Sequence, residues 1–83
     1  MARVEVHNVS MNGSKIENLG VKLFRLGDRV IDRDTAVQWM KDGHSFIPQV
    51  DGTDAPSLQL VEVEGELYIR GDMTPDASDS VAI

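Results

Sequence analysis

The 83-residue chain contains no cysteine, only three prolines and two histidines, and just one tryptophan, one tyrosine and two phenylalanines. Without cysteine there is neither a disulfide framework nor a thiolate metal site to compensate for small size, and a domain of this length buries only about 60% of the surface its unfolded chain exposes. His7 and His44 stand far apart, and neither has a second histidine at the short spacing a zinc site uses. Asp51 and Asp54 flank Gly52 without the further carboxylates and closing glutamate of a calcium loop. The glycines fall in neither of the two common phosphate-loop patterns. No metal or cofactor is expected.

Long apolar runs are missing too. Met1 is followed by "ARVEVHNVS", which lacks the apolar core of a secretory signal, and no segment is long enough to span a bilayer. A cytoplasmic protein without membrane contact is expected. In that compartment the glycosylation-like triplets "NVS" and "NGS" and the integrin-ligand-like "RGD" at residues 70–72 are chance matches.

The net charge is −6, from 14 acids and 8 bases. Three of the acids, Asp72, Asp76 and Asp79, lie in residues 71–83, where there is no base, so residues 1–70 carry only −3. Phosphate-backbone recognition needs clustered Lys and Arg, which makes nucleic acid a poor partner; mimicry of DNA would need a far denser carboxylate surface.

Alternation in "RVEVHNV" predicts a half-buried first strand, and Asn12-Gly13 predicts a type I′ hairpin into a second strand from about Lys15 to Leu26. That strand puts Leu19, Val21 and Leu23 on one face and Lys22, Phe24 and Leu26 on the other, with Gly20 at a bulge or bend. "LGDR" predicts a tight turn into a short strand at Arg29–Ile31. The one convincing helix is "DRDTAVQWMKDG", N-capped by Asp32 and closed by Gly43, with Ala36, Val37, Trp39 and Met40 on its apolar arc. "SFIPQV" predicts an edge strand or bulge because Pro48 cannot donate, and "DGTDAPS" predicts a loop. "LQLVEVEGELYIR" predicts a hairpin around Glu64-Gly65. The expectation is a single α+β domain over residues 1–70, an antiparallel sheet of four to six strands with one short helix on one face, followed by a flexible acidic tail, residues 71–83.

A helix of about ten residues is roughly 15 Å long and covers one sheet face, not two. Phe24, Leu26, Val61, Val63 and Tyr68 are placed on the uncovered side, so either the sheet curls into a partial barrel or a second subunit packs there, the second being the favoured reading. Phe24, Trp39, Val61, Val63 and Tyr68 are accordingly the expected interaction residues of a homodimer.

The stretch "WMKDGHS", residues 39–45, gathers an aromatic ring, a carboxylate, an imidazole and a hydroxyl. Helix termination at Gly43 explains the group, and adjacent His44 and Ser45 point to opposite faces of an extended segment, so no nucleophile–base pair is expected. Lys15, Lys22, Arg25, Arg29 and Arg33 put five of the eight bases in 19 residues. A ligand or nucleotide face of Lys22, Phe24, Arg25 and Arg29 is the alternative reading, against which Glu17, Asp28, Asp32 and Asp34 interleave. The apolar C-terminal Val81-Ala82-Ile83 has the look of a terminal recognition signal.

Over "SKIENLGVKLFRLGDRVIDRDTAVQWMKDGH", and again at "LYIRGDMTPDASDSV", the chain resembles a group of small bacterial domains of unknown function. The shared features are an early strand pair, the turn Gly27-Asp28, a helix opening at Asp32 and closing at Asp42-Gly43, and a last strand ending Tyr68-Ile69-Arg70. The "FIPQVDGTDAPS" segment departs from that pattern. The resemblance implies a β-β-α-β-β fold and no catalytic residues. Together these readings predict a non-enzymatic interaction or accessory domain of bacterial or phage type.

Overall fold

A computed structural model describes residues 2–83. Strands β1 (Arg3–Asn12), β2 (Lys15–Leu23) and β3 (Gly27–Asp32) form an antiparallel meander, helix α1 (Arg33–Lys41) follows, and β4 (Ser45–Val50) returns beside β1. A two-residue β5 (Thr53–Asp54) completes a five-stranded sheet of order β3-β2-β1-β4-β5; β6 (Gln59–Val63) and β7 (Glu66–Arg70) form a separate hairpin. The α+β class and the single short helix agree with expectation, but the sheet is mixed. Because α1 carries the chain back along the sheet before β4 starts, β4 runs parallel to β1, with Val4 opposite Phe46 and Val6 opposite Pro48.

Turn chemistry sets most of the registers. Asp51-Gly52 and Glu64-Gly65 both have two consecutive positive φ values, 52° and 76° in the first and 52° and 84° in the second. This is the type I′ pattern that matches the twist of the flanking strands. The first of these turns makes a hairpin of a segment expected to be a loop. The β1–β2 connection is shifted one residue from expectation: Asn12 pairs with Lys15, and only Gly13 has positive φ, +65°, which is the type II′ arrangement with glycine first.

Two bulges keep the apolar residues of β1 and β2 on one face. His7 is the extra residue between the pairs Val6/Val21 and Asn8/Gly20, and Glu17 the extra residue between Ser10/Asn18 and Met11/Ile16. Each insertion reverses the alternation, so Val4, Val6 and Val9 share the core face with Ile16, Leu19 and Val21. Gly20 sits opposite the first bulge, with the Asn8 side chain lying where its Cβ would be.

Helix α1 is capped as predicted: Asp32 accepts from the Thr35 amide at 2.8 Å, and Asp34 sits at the positive end of the helix. At the other end the His44 amide donates to Trp39 O and the Gly43 amide to Met40 O, a Schellman closure with Gly43 at φ 98°. Ala36 is buried in the core, joined there by Leu58 and Ile69 from the hairpin region. Helix and hairpin thus share the work of covering the core. The opposite face of the sheet is mostly hydrophilic: Glu5, Asn8, Ser10, Asn18, Lys22 and Asp28 occupy it, with half-buried Ile47 and exposed Val30 the exceptions. No helix among the described residues is long and apolar enough to cross a membrane.

The segment after Arg70, expected to be a flexible tail, is docked on the domain. Its anchor is Asp79, whose side chain has 0% exposure. One carboxylate oxygen accepts from the Ile16 amide at 2.7 Å and from Arg33 Nε at 2.7 Å; the other accepts from the Ile69 amide at 2.8 Å and from Arg33 Nη2 at 3.0 Å. Backbone bonds from Asp79 to Ser14, from Ser80 to Ile69 and from Gly71 to Ser80 complete the attachment, and Val81 packs against the core. Low apolar content underestimates such a segment because a buried, fully bonded carboxylate supplies the attachment instead. Arg70, 5% exposed, is held by Asp72 and by the Ser78 carbonyl and hydroxyl, so the "RGD" triplet is closed on itself.

Candidate functional site

A groove of about 800 Å³ lies at one end of the sheet. Arg3, Val4 and Glu5 of β1, Lys22 and Leu23 of β2, and the 24–26 turn form one part of its lining; Trp39 and His44 at the end of α1 form another. Val4 and Leu23 are directly opposed in the β1–β2 ladder, which carries the apolar core face out to this rim.

The turn is strained. The Leu26 amide donates to Leu23 O at 3.2 Å while Arg25 takes φ +67° with Phe24 at negative φ, a type II pattern whose third position ordinarily belongs to glycine or asparagine. A side-chain-bearing residue there costs about 1 to 2 kcal/mol. The outcome is a projecting ring: Phe24 is 80% exposed, Leu26 61%, and the Arg25 guanidinium stands 5.1 Å from the Phe24 centroid.

Across the groove, Trp39 is half-buried. Its ring meets His44 edge-on at 6.3 Å and Phe46 at 6.4 Å. The Ala2 amide donates to His44 Nδ1 at 2.9 Å, and the Ser45 amide to Ala2 O at 3.0 Å, which locks the start of β1 to the helix exit. The "WMKDGHS" residues are therefore occupied in helix closure and strand attachment, with the imidazole Nδ1 committed to a backbone donor.

The structure brings Trp39 together with part of the Lys22, Phe24, Arg25 and Arg29 face that the sequence offered as the alternative. Phe24 and Trp39 share this groove with Lys22 and Arg25. Arg29 is outside it, donating to the carbonyl of neighbouring Asp28 at 2.8 Å. Val61 and Tyr68, expected on an uncovered side, are each only 7% exposed, and Val63 is half-buried. They form a cross-strand pair in the β6–β7 hairpin, a separate layer rather than an extension of the sheet, so their phase along the chain does not translate into exposure. Tyr68 donates to Glu66 at 2.9 Å, with Lys15 Nζ 5.7 Å from its ring. That hydrogen bond raises the Tyr68 hydroxyl pKa above its ordinary value and, with Lys15, lowers that of Glu66.

Sequence reasoning missed Asp79, Arg33 and Arg70 as organising groups. Burial pushes the Asp79 pKa up, but Arg33 and the two backbone amides together outweigh it and leave it below its ordinary value; the same pair raises that of Arg33. The only signal in the sequence is the apolar Val81 shortly after an aspartate in a polar stretch. No group of three or more metal-binding side chains occurs among the described residues. No protein-family model, curated protein or solved structure matches the chain.

Proposed function

We propose that the chain is a cytoplasmic, non-enzymatic protein-interaction domain whose contact surface is the Phe24 turn together with the groove in front of Trp39. The observation that carries this is Phe24 itself: an aromatic ring 80% exposed on a backbone turn strained at Arg25. Strain at an exposed turn works against stability, and an uncovered phenylalanine leaves roughly 2 kcal/mol of burial free energy unrealised in the isolated chain. A partner that covers the ring recovers that term, and aromatic anchors beside a pocket are the usual centres of binding energy. The self-association expected from a broad apolar sheet face loses Val61 and Tyr68 as support, because both are covered within the chain.

Site-specific incorporation of a benzoylphenylalanine photocrosslinker tests the reading in the expressing cell. Defined protein adducts are expected from position 24 and not from Met73, which is also exposed but remote in sequence from the turn. Equal labelling from both positions, or none from position 24, refutes it. Because Lys22 and Arg25 line the same groove as two aromatic rings, a nucleotide is the second reading. A concentration-dependent thermal shift with ATP, abolished in Lys22→Glu, would establish that alternative.

A further inference from the structure

The groove's electrostatics differ from those of the rest of the molecule. Its lining includes Arg3, Lys22 and Arg25 against Glu5 alone, a local +2 in a chain of net −6, which leaves −8 elsewhere. Arg3 is already engaged by Asp54 at 2.7 Å. Arg25 has no carboxylate within 4 Å among the described residues, and neither has Lys22, although Glu5 and Asp28 stand directly opposite it in the two ladders. Between them and Trp39 the walls are apolar, formed by Val4, Leu23 and Leu26.

Taking the interaction surface proposed above as its premise, the geometry points to an acidic peptide segment with a central apolar anchor as the occupant. The apolar side chain enters between Leu23 and Trp39, and flanking carboxylates face Lys22 and Arg25. A second copy of the chain fits less well. A twofold dimer through this surface would set the same two unpaired cations against themselves, and each whole chain carries −6. A basic partner would meet the same cations and gain only Glu5.

Trp39 is the sole tryptophan and lines the groove, so its emission reports occupancy directly. The probes are three blocked octapeptides: one with Leu-Phe at its centre and three acidic residues on each side, one with the same centre and three basic residues on each side, and an acidic one with Ser-Ser at its centre. The acidic Leu-Phe peptide is expected to shift the emission saturably, at least about tenfold tighter than either other probe, and to weaken as salt is raised. The double variant Lys22→Glu, Arg25→Glu should reverse the preference between acidic and basic peptides, and Phe24→Ser should weaken both. The assignment is overturned if the basic peptide binds wild type as tightly as the acidic one, if the Ser-Ser peptide does, or if no shift develops by about 1 mM. Crosslinking at position 24 separates the two levels: adducts there combined with any of these failures leave the interaction surface standing and remove only its acidic occupant.

Discussion

Replacing Asp79 by Asn tests whether the C-terminal segment is part of the fold. The substitution keeps the shape of the side chain but removes its charge and turns one acceptor oxygen into a donor. Four donors converge on this carboxylate: two from Arg33 and the amides of Ile16 and Ile69. An amide side chain satisfies only one side of that arrangement. Breaking a buried ion pair by removing one partner costs about 3 to 5 kcal/mol. Arg33 retains 18% of its side-chain exposure, so water can solvate part of the orphaned guanidinium, which places the cost at the lower end, about 3 kcal/mol. A domain of this size has a total stability of roughly 4 to 12 kcal/mol, so the loss is a large share of it. In a thermal melt it corresponds to a drop of about 12 to 24 °C. Urea titration of wild type, Asp79→Asn and the exposed control Asp76→Asn should show a lower midpoint for the first variant and none for the second. A loss below about 1 kcal/mol for Asp79→Asn would mean that this carboxylate does not hold the C-terminal segment, because a group bonded four ways and buried cannot be dispensable.

The Asp79 pKa is lowered in the folded state, so its contribution is fully present above the ordinary value of 3.8 and is lost as pH falls through the folded value. The stability gap between wild type and Asp79→Asn should therefore close only below about pH 3.8; a gap that closes near neutrality contradicts the assignment. Gly20→Ala should change stability by less than about 1 kcal/mol, although its Cβ would overlap the Asn8 side chain, because Asn8 is exposed and its amide can swing aside; a larger loss in a urea melt would show that the Asn8 side chain is fixed. Arg25→Gly should stabilise the isolated chain by roughly 1 kcal/mol through relief of the positive φ, measured by the same titration, and weaken peptide binding. Phe24→Ser should leave the melting temperature unchanged, since the ring is 80% exposed, while weakening the peptide response.

What could be read from the sequence was whatever depends on neighbours along the chain. Asp32, Gly43 and Glu64-Gly65 act within four residues of themselves, and each stands where residue type predicts. The parallel β1–β4 pair was hidden because strand direction depends on the helix between the strands, not on either strand's composition. The bulges at His7 and Glu17 were hidden because an inserted residue is read as a break in alternation, which weakens the strand signal without showing that the pattern resumes. Asp79 was the least legible of all: its partners Arg33 and Ile16 lie 46 and 63 residues away, and one of three aspartates in a polar stretch has the composition of a solvated tail.

The candidate site was half legible, and the illegible half decides how it works. Phe24 and Trp39 could be named from periodicity, and Lys22 and Arg25 from charge beside Phe24, yet nothing in the chain indicated that Trp39 joins that face, since β2 and the end of α1 are far apart in sequence. The turn between them shows what stability alone leaves unexplained. Chain reversal at this point needs a positive φ at position 25, and glycine supplies it at no steric cost. Arginine supplies it at about 1 to 2 kcal/mol, and returns a cation held beside an exposed ring at the mouth of an apolar groove. An isolated domain gains nothing from that exchange. A domain whose Phe24 and Arg25 are covered by an acidic, apolar-anchored partner gains on both residues at once.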